Sequence, residues 1–530
     1  MLSERSAMEQ EWWRTALFYQ VFPLSFQDSN GDGRGDIRGI ISRLPYLEWL
    51  GVDAIWLGPV YRSPMVDSGY DISDFCDIDP VFGTLADFDD LVSQVHARGM
   101  KLIVDFVPNH TSVEHPWFKE SRASRDNSKR GWYIWRSPRP GNTAPSNWID
   151  NTWQPAWELD PRTGQYYYHR FLRQQPDLNF RNPDVRRAIQ DVLRFWLDRG
   201  VDGFRLDAAA DVLEDELLRD EPREDDAAQQ KPPAWKDHIF STDRPGTIEL
   251  LAEFRSVVDS YPGRVLLGEV NVTKANFVKY YGLERPALNL PFNFELLNLK
   301  NWSASHVSAV IDQYLTQLPP DGCPNWLLGS HDVPRLRQRI GSEHLRGAAV
   351  LAFTLPGAVL IYYGDELGLD NAEIPQEAMV DPYAEFGFGR DPQRVPMPWD
   401  NSANFGFSTA TPYLPCAPEA SSRNMEYQKR DQRSLLNLYR KLAELRGNQN
   451  VLRHGTYIPG PCYGHLLQFR RELGSHSLNV ALNFGPDPIS IEGHQGEVVL
   501  STSLERQGET ITDGLLLRPF EGLILGQTSN

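Results

Sequence analysis

Short apolar runs alternate with longer amphipathic stretches through most of the chain before residue 450. Helical spacing of apolar positions, with three or four residues between them, predicts helices at 41–50, 88–98 and 184–199. Regular alternation of strands and helices is typical of a parallel sheet, because each helix crosses back over the sheet. The apolar runs predict strands at 17–22, 54–57, 101–107, 201–206, 265–267 and 325–329.

Two segments break this alternation. Residues 109–179 are rich in Trp, Tyr, Pro, Ser and Asn and are too long for an ordinary loop, which predicts an inserted subdomain after the third strand. Residues 214–246 carry mixed charges and predict a solvated loop, with a lid over the substrate as the alternative. After residue 450, short strands with glycine-rich turns predict an antiparallel β domain.

Ionisable side chains stand at the ends of four predicted strands. Strand alternation points Arg205 and Asp207 the same way, and an Asp beside an Arg stays ionised and suits a nucleophile. Glu269 and Asp332 end two further strands, and the run DFVPNH (105–110) ends another. The carboxyl ends of barrel strands meet on one face, so these residues predict one acid–base site on a β/α barrel.

Composition narrows the class of protein. The chain has 530 residues, 41% of them apolar, and a net charge of −18, which argues against binding nucleic acid. No apolar run approaches the roughly 20 residues of a membrane span, and residues 1–13 lack the apolar core of a signal peptide. The four cysteines have no metal-site spacing and predict free thiols in a reducing cytoplasm.

Further motifs add a family resemblance. They are GVDAIWLGPV (51–60), QPDLN (175–179), YYGDELG (362–368) and GRDPQRVPMPWD (389–400). With the strand-end residues, they resemble the glycoside hydrolase family that contains the α-amylases and α-glucosidases, above all its α-glucosidase and oligo-1,6-glucosidase branch. The resemblance implies an α/β fold, a (β/α)8 TIM barrel. Its expected parts are the barrel at 1–108 and 180–449, the insertion at 109–179 and a C-terminal β-sandwich at 450–530.

The resemblance also implies a function. It predicts a retaining, exo-acting α-glucosidase that releases α-glucose from the non-reducing ends of short α-glucosides, with transglucosylation. Asp207 would be the nucleophile and Glu269 the acid/base, while Asp332 would bind substrate hydroxyls and help distort the ring. Arg205 would keep Asp207 ionised and oriented. The expected partners are small α-glucosides, with no nucleic acid or membrane, and the expected assembly is a monomer or homodimer.

A glucose subsite is implied by the same motifs. His110 and His331 resemble binders of sugar hydroxyls, and Tyr70 would stack on the ring. Asp67 and Arg394 would pair to close the non-reducing end, which separates exo-acting α-glucosidases from endo-acting amylases. Phe171 would line the aglycone side.

The loop at 28–36 places oxygen ligands at every second residue, which suits a hard cation. Its glycines permit a tight wrap, but Gly39 stands where an EF-hand has its bidentate Glu, so a paired EF-hand is not expected. Family members carry a structural Ca²⁺ here, and Mg²⁺ is the alternative. The inferred ligands are Asp28, Asn30, Asp32 and Asp36 with the Arg34 carbonyl.

Two other functions stay open. A glucosyl-transferring or isomerising relative, of the sucrose isomerase or trehalose synthase kind, would share every catalytic residue named. A catalytically inactive relative, such as the glycosidase-like heavy chain of amino-acid transporters, would tolerate loss of the carboxylates. Ala208 follows the nucleophile where many oligo-1,6-glucosidases carry Val and many maltases Thr, so the resemblance leaves the linkage preference open.

Overall fold

Eight parallel strands form the central sheet of the computed structural model, which describes residues 11–222 and 238–526. Each strand pairs with its neighbours in the order β6-β5-β4-β3-β2-β1-β8-β7. The strands, numbered along the chain, are β1 Leu17–Val21, β2 Ala54–Leu57, β3 Lys101–Phe106, β4 Gly203–Leu206, β5 Val265–Gly268, β6 Leu290–Pro291, β7 Asn325–Leu327 and β8 Ala358–Tyr362.

A side chain joins the two ends of this sheet. Asn325 on β7 is fully buried, and its Nδ2 donates to the Pro291 carbonyl on β6 at 2.7 Å. Its Oδ1 accepts from the Asn293 backbone N–H at 3.0 Å. Proline has no N–H for a backbone ladder, so the amide takes over part of that pairing. The sheet is a nearly closed barrel, and the predicted (β/α)8 fold is confirmed.

Helices follow the strands around the barrel. Two of the predicted helices begin three or more residues too late, since the structure extends them back to Ile37 and Leu85. Asp36 caps the first by accepting from the Gly39 N–H, and Thr84 with Asp87 forms a capping box on the second. The main helices are Ile37–Leu50, Leu85–Ala97, Pro183–Asp198, Thr247–Asp259, Ala304–Gln317, Leu345–Thr354 and Leu435–Asn448, with a short one at Lys274–Phe277.

One small sheet pairs Tyr61–Arg62 with Asp74–Ile78 between β2 and β3, and the other small sheets in the described ranges fall within the predicted insertion and the C-terminal part. The insertion holds three antiparallel strands, Trp135–Arg136, Trp157–Asp160 and Gln165–Tyr168. After a short helix, Asn450–His454, the C-terminal antiparallel sheets comprise Thr456–Tyr463, Leu466–Leu473, His476–Asn483, Ile489–Ile491, Gly496–Ser501, Thr510–Ile511, Leu515–Leu517 and Gly522–Gly526.

The predicted loop or lid at 214–246 is described only in part, because residues 223–237 lie outside the described residues. The N-terminal residues 1–10 also lie outside them. Within the described ranges, no helix is both long and apolar enough to cross a membrane.

Candidate active site

Arg205 gathers the predicted catalytic carboxyls at the C-terminal ends of β4 and β5. Its side chain is buried, and Nη1 donates to Asp207 at 2.7 Å and to Asp105 at 2.8 Å. Nη2 donates to Glu269 at 2.5 Å. One guanidinium therefore bridges the predicted nucleophile and the predicted acid. Bridging of this kind suits two carboxyls that act on one sugar from about 5 Å apart.

The three carboxyls have different proton affinities. Burial raises the pKa of Glu269 to about 8 and the pKa of Asp207 to about 7, with Arg205 opposing the shift in both. Burial also opposes ionisation of Asp332. Three neighbours outweigh it and hold the pKa of Asp332 well below its usual range: His331, the Arg390 guanidinium at 3.2 Å and the Arg394 guanidinium at 3.1 Å. A raised pKa at Glu269 is what the predicted proton donor needs near neutral pH.

An ion pair closes one end of a cavity of about 390 Å³ that contains these carboxyls. Asp67 is buried, and its Oδ1 accepts from Arg390 Nη2 at 2.5 Å. Its Oδ2 accepts from Gln175 at 3.1 Å. Arg390 also contacts Asp381 at 2.7 Å and Asp332 at 3.2 Å. An Asp–Arg pair thus closes this end of the cavity, but the sequence-based choice of Arg394 as the partner of Asp67 is wrong.

Arg394 lies behind this wall. It follows a short 3-10 turn, Asp391–Gln393, and its Nη1 donates to the Ser68 hydroxyl at 3.4 Å rather than to Asp67. Its Nε donates to the His331 carbonyl at 3.0 Å, and its Nη2 donates to Asp332 at 3.1 Å. Arg394 is buried and does not line the cavity, so it positions Asp332 rather than the end of the substrate.

The predicted glucose-binding residues meet in the cavity wall. The Tyr70 and His331 rings stack with 5.5 Å between centroids, and the Tyr70 hydroxyl bonds to His331 and Asp105. Phe171 packs on His110 at 5.1 Å. Burial lowers the pKa of His110 to about 4 and of His331 to about 3, so both rings are neutral near pH 7. Neutral imidazoles suit hydrogen bonds with hydroxyls.

Four supporting residues were missed in the sequence. Asp105 begins the DFVPNH motif, Gln175 begins QPDLN and Arg390 precedes Asp391 in GRDPQR. Their motifs were recognised, but residue spacing alone does not show which side chain faces the cavity. Asp381 lies in an irregular segment and carries no motif of its own, so no signal in the sequence points to it.

The predicted cation loop is held by its own hydrogen bonds. Asp28 accepts from the backbone N–H groups of Asn30, Gly31 and Gly33, and Asp36 accepts from Ser29 and caps the following helix. Among the described residues, no group of three His, Cys, Asp or Glu side chains is arranged to hold a metal ion. Two of the inferred ligands, the Asn30 side chain and the Arg34 carbonyl, are not among those side-chain types, so Ca²⁺ at this loop stays a prediction.

Barrel, cavity and paired carboxyls together define a glycoside hydrolase. The family model described as "Alpha amylase, catalytic domain" matches residues 20–455. The chain therefore belongs to the α-amylase family. Within it, the relatives and motifs place the chain in the α-glucosidase and oligo-1,6-glucosidase branch.

Relatives and solved structures of several activities match along nearly the whole chain. A probable α-glucosidase of Rhizobium meliloti is 38% identical, with 91% of each chain covered. The human amino acid transporter heavy chain SLC3A1 is 36% identical over 97% of this chain and 78% of its own. The crystal structure of the α-glucosyl transfer enzyme XgtA matches with a TM-score of 0.90 and 38% identity, covering 97% of this chain and 99% of that one.

Proposed function

We propose that the protein is a retaining, exo-acting α-glucosidase that releases α-glucose from the non-reducing ends of short α-glucosides. The Asp67–Arg390 pair carries this proposal, because it closes the cavity beyond the catalytic carboxyls and leaves room for a terminal sugar. The carboxyls argue against an inactive relative: Asp207 and Glu269 both keep the bridging contact with Arg205.

The mechanism follows from the assigned proton positions. Asp207 attacks the anomeric carbon while Glu269 gives its proton to the leaving oxygen, so the glycosidic bond breaks and a glucosyl–Asp207 ester forms. Glu269, now ionised, takes a proton from water as the water oxygen attacks the anomeric carbon and the bond from that carbon to Asp207 breaks, which releases the Asp207 carboxylate. Glucose leaves with its original anomeric configuration. A sugar hydroxyl in place of water gives transglucosylation by the same step.

Product analysis tests the proposal. Purified protein is incubated with maltose, maltotetraose and soluble starch, and early products are separated. We expect single glucose units from the oligosaccharides, initially as the α-anomer, and poor attack on starch. Asp207→Asn should lower turnover by several orders of magnitude while substrate binding is largely kept. Early mixed oligosaccharides from starch would instead indicate an endo-amylase.

Glucosyl transfer or isomerisation is the second candidate, favoured by the similarity to a glucosyl-transfer enzyme. The catalytic residues are the same for both, and only the acceptor differs. Sucrose, maltose and isomaltose separate the candidates: a hydrolase yields free glucose, whereas a transferase or isomerase yields new disaccharides as the main product.

We also propose a structural Ca²⁺ at the 28–36 loop, a cytoplasmic location and a monomer or homodimer. The spacing of oxygen-bearing residues along the loop supports the first. Four free cysteines among the described residues support a reducing compartment.

A further inference from the structure

One side of the cavity carries a charged pair that the catalytic mechanism does not use. Arg170 follows the inserted strand Gln165–Tyr168, and Asp211 lies on the turn after the nucleophile, where its N–H donates to the Ala208 carbonyl at 2.9 Å. Both side chains line the cavity together with Thr242. None of them belongs to the closed Asp67 end.

The pair is held firmly in place. Arg170 Nε donates to Asp211 Oδ1 at 3.2 Å, and the Thr242 hydroxyl donates to the same oxygen at 2.6 Å. The Arg170 backbone N–H donates to Asp177 at 2.7 Å, which fixes the residue beside the QPDLN motif. Arg170 is only 5% exposed. One oxygen of Asp211 is therefore fully engaged within the protein.

One terminal nitrogen of Arg170 and the second oxygen of Asp211 have no hydrogen-bond partner in the part of the chain that the structure describes. Arg170 Nη1 is enclosed by protein, whereas Nη2 is not, and no described residue accepts a hydrogen bond from Nη2. No described residue donates to Asp211 Oδ2. Because both residues line the cavity, this nitrogen and this oxygen are available to a ligand that supplies the missing hydrogen bonds.

A guanidinium donor beside a carboxylate acceptor matches a ligand that carries two neighbouring hydroxyl groups. Of two neighbouring hydroxyls, one accepts from a guanidinium N–H and the other donates to a carboxylate. Because Arg170 and Asp211 neutralise each other, the pair favours a neutral polyol over an anion. Glu269 protonates the leaving oxygen, so the wall away from Asp67 faces the leaving group and the incoming acceptor.

We propose that Arg170 and Asp211 determine aglycone and acceptor specificity by binding a vicinal diol, as found in sugars and glycerol. The proposal rests on the α-glucosidase function above. It predicts that sugar aglycones gain a contact that an aryl aglycone, which lacks neighbouring hydroxyls, does not make.

The test compares two substrates in three variants. Asp211→Asn keeps the shape of the side chain and removes its charge, and Arg170→Lys keeps the charge and removes the guanidinium fork. Asp215→Asn is the matched control, since Asp215 forms an ion pair with Arg219 on the same segment but does not line the cavity. For each variant, kcat/KM is measured with maltose and with p-nitrophenyl α-glucoside, and thermal unfolding checks the fold.

We expect the maltose-to-aryl ratio of kcat/KM to fall about 10-fold in Asp211→Asn, as for one lost charge-assisted hydrogen bond, and to stay unchanged in Asp215→Asn. With glycerol present, the ratio of glucosyl-glycerol to free glucose should fall in Asp211→Asn and in Arg170→Lys. Equal losses on both substrates with an unchanged glycerol ratio would overturn the proposal and leave the pair a structural role. If the unmodified protein cleaves neither substrate, the α-glucosidase function itself fails.

Discussion

At the scale of single residues, Arg205 sets the electrostatics of the site. It donates to Asp207, Glu269 and Asp105 from one buried position. The three carboxyls therefore share the single positive charge of one guanidinium. Burial then outweighs that attraction for Asp207 and Glu269, whose pKa values are both raised. A lysine could not bridge the same groups, because a single ammonium lacks the planar fork.

The raised pKa values predict a narrow pH optimum. Activity requires ionised Asp207 and protonated Glu269, so kcat/KM should rise as Asp207 loses its proton near pH 7 and fall as Glu269 loses its proton near pH 8. The two apparent values belong to the pair, because the groups interact. We expect a bell-shaped profile on maltose, and Glu269→Gln should flatten its basic limb on an activated aryl glucoside. A level profile from pH 5 to 9 would contradict the assignment.

Arg390 gives a second prediction at this scale. Arg390→Ala removes the partner of Asp67 and of Asp381, leaving two buried carboxylates with a lost charged contact. A charged hydrogen bond contributes about 1.5–3 kcal/mol, so KM for maltose should rise at least 10-fold. Arg219→Ala, which breaks an ion pair outside the cavity, is the control. An unchanged KM would remove Arg390 from the closed end.

At the scale of elements, the sequence predicts what depends on local pattern. The strand-end carboxyls were found because strand alternation and barrel topology fix where Asp207 and Glu269 point. The partner of Asp67 could not be predicted, since Arg390 and Arg394 lie in an irregular segment where no periodicity shows which way a side chain points. The link from Asn325 to Pro291 was also missed, because it depends on which strands meet when the barrel closes.

The loop at 28–36 tests the cation hypothesis. If Ca²⁺ binds the folded loop only, adding a chelator should lower the melting temperature, because a ligand bound to the native state stabilises it by mass action. Asp32→Ala should reduce both the bound metal and the effect of chelation. Asp32 is a suitable choice because, among the described residues, its side chain accepts only from the Arg34 N–H and the Asn30 side chain. Unchanged metal content and melting temperature would identify the loop as a hydrogen-bonded turn.

At the scale of the whole molecule, the insertion and the segment after β8 shape the cavity, whereas the C-terminal sheet contributes to stability. The cavity mouth joins the insertion to the segment after β8, where the Trp153 and Phe388 rings lie 5.1 Å apart. The C-terminal sheet instead packs on the barrel away from the cavity, and Arg471 on that sheet donates to the Thr354 carbonyl at 2.5 Å and to the Gly455 carbonyl at 2.7 Å.

This division predicts that Arg471→Ala affects stability and leaves substrate choice unchanged. Arg471 is fully buried, and its loss leaves two buried carbonyls unpaired, at about 1–3 kcal/mol each. The melting temperature should fall by several degrees, while the maltose-to-aryl ratio of kcat/KM stays constant. Arg470→Ala, on the neighbouring half-exposed position of the same strand, is the control for stability. A changed ratio would show that the C-terminal sheet influences the site.

Because β6 and β7 are joined through the Asn325 side chain, we expect the barrel to open locally at this seam more readily than between its other strands. Elsewhere around the ring, opening a strand pair breaks a backbone ladder, but here it breaks the two bonds of one amide. Backbone amides beside the seam, such as that of Asn293, should therefore exchange with deuterium earlier than those inside β2 or β3. Asn325→Leu should speed that exchange further. Because β6 at this seam pairs with β5, whose end carries Glu269, opening of the seam should displace Glu269 before Asp207, which follows β4.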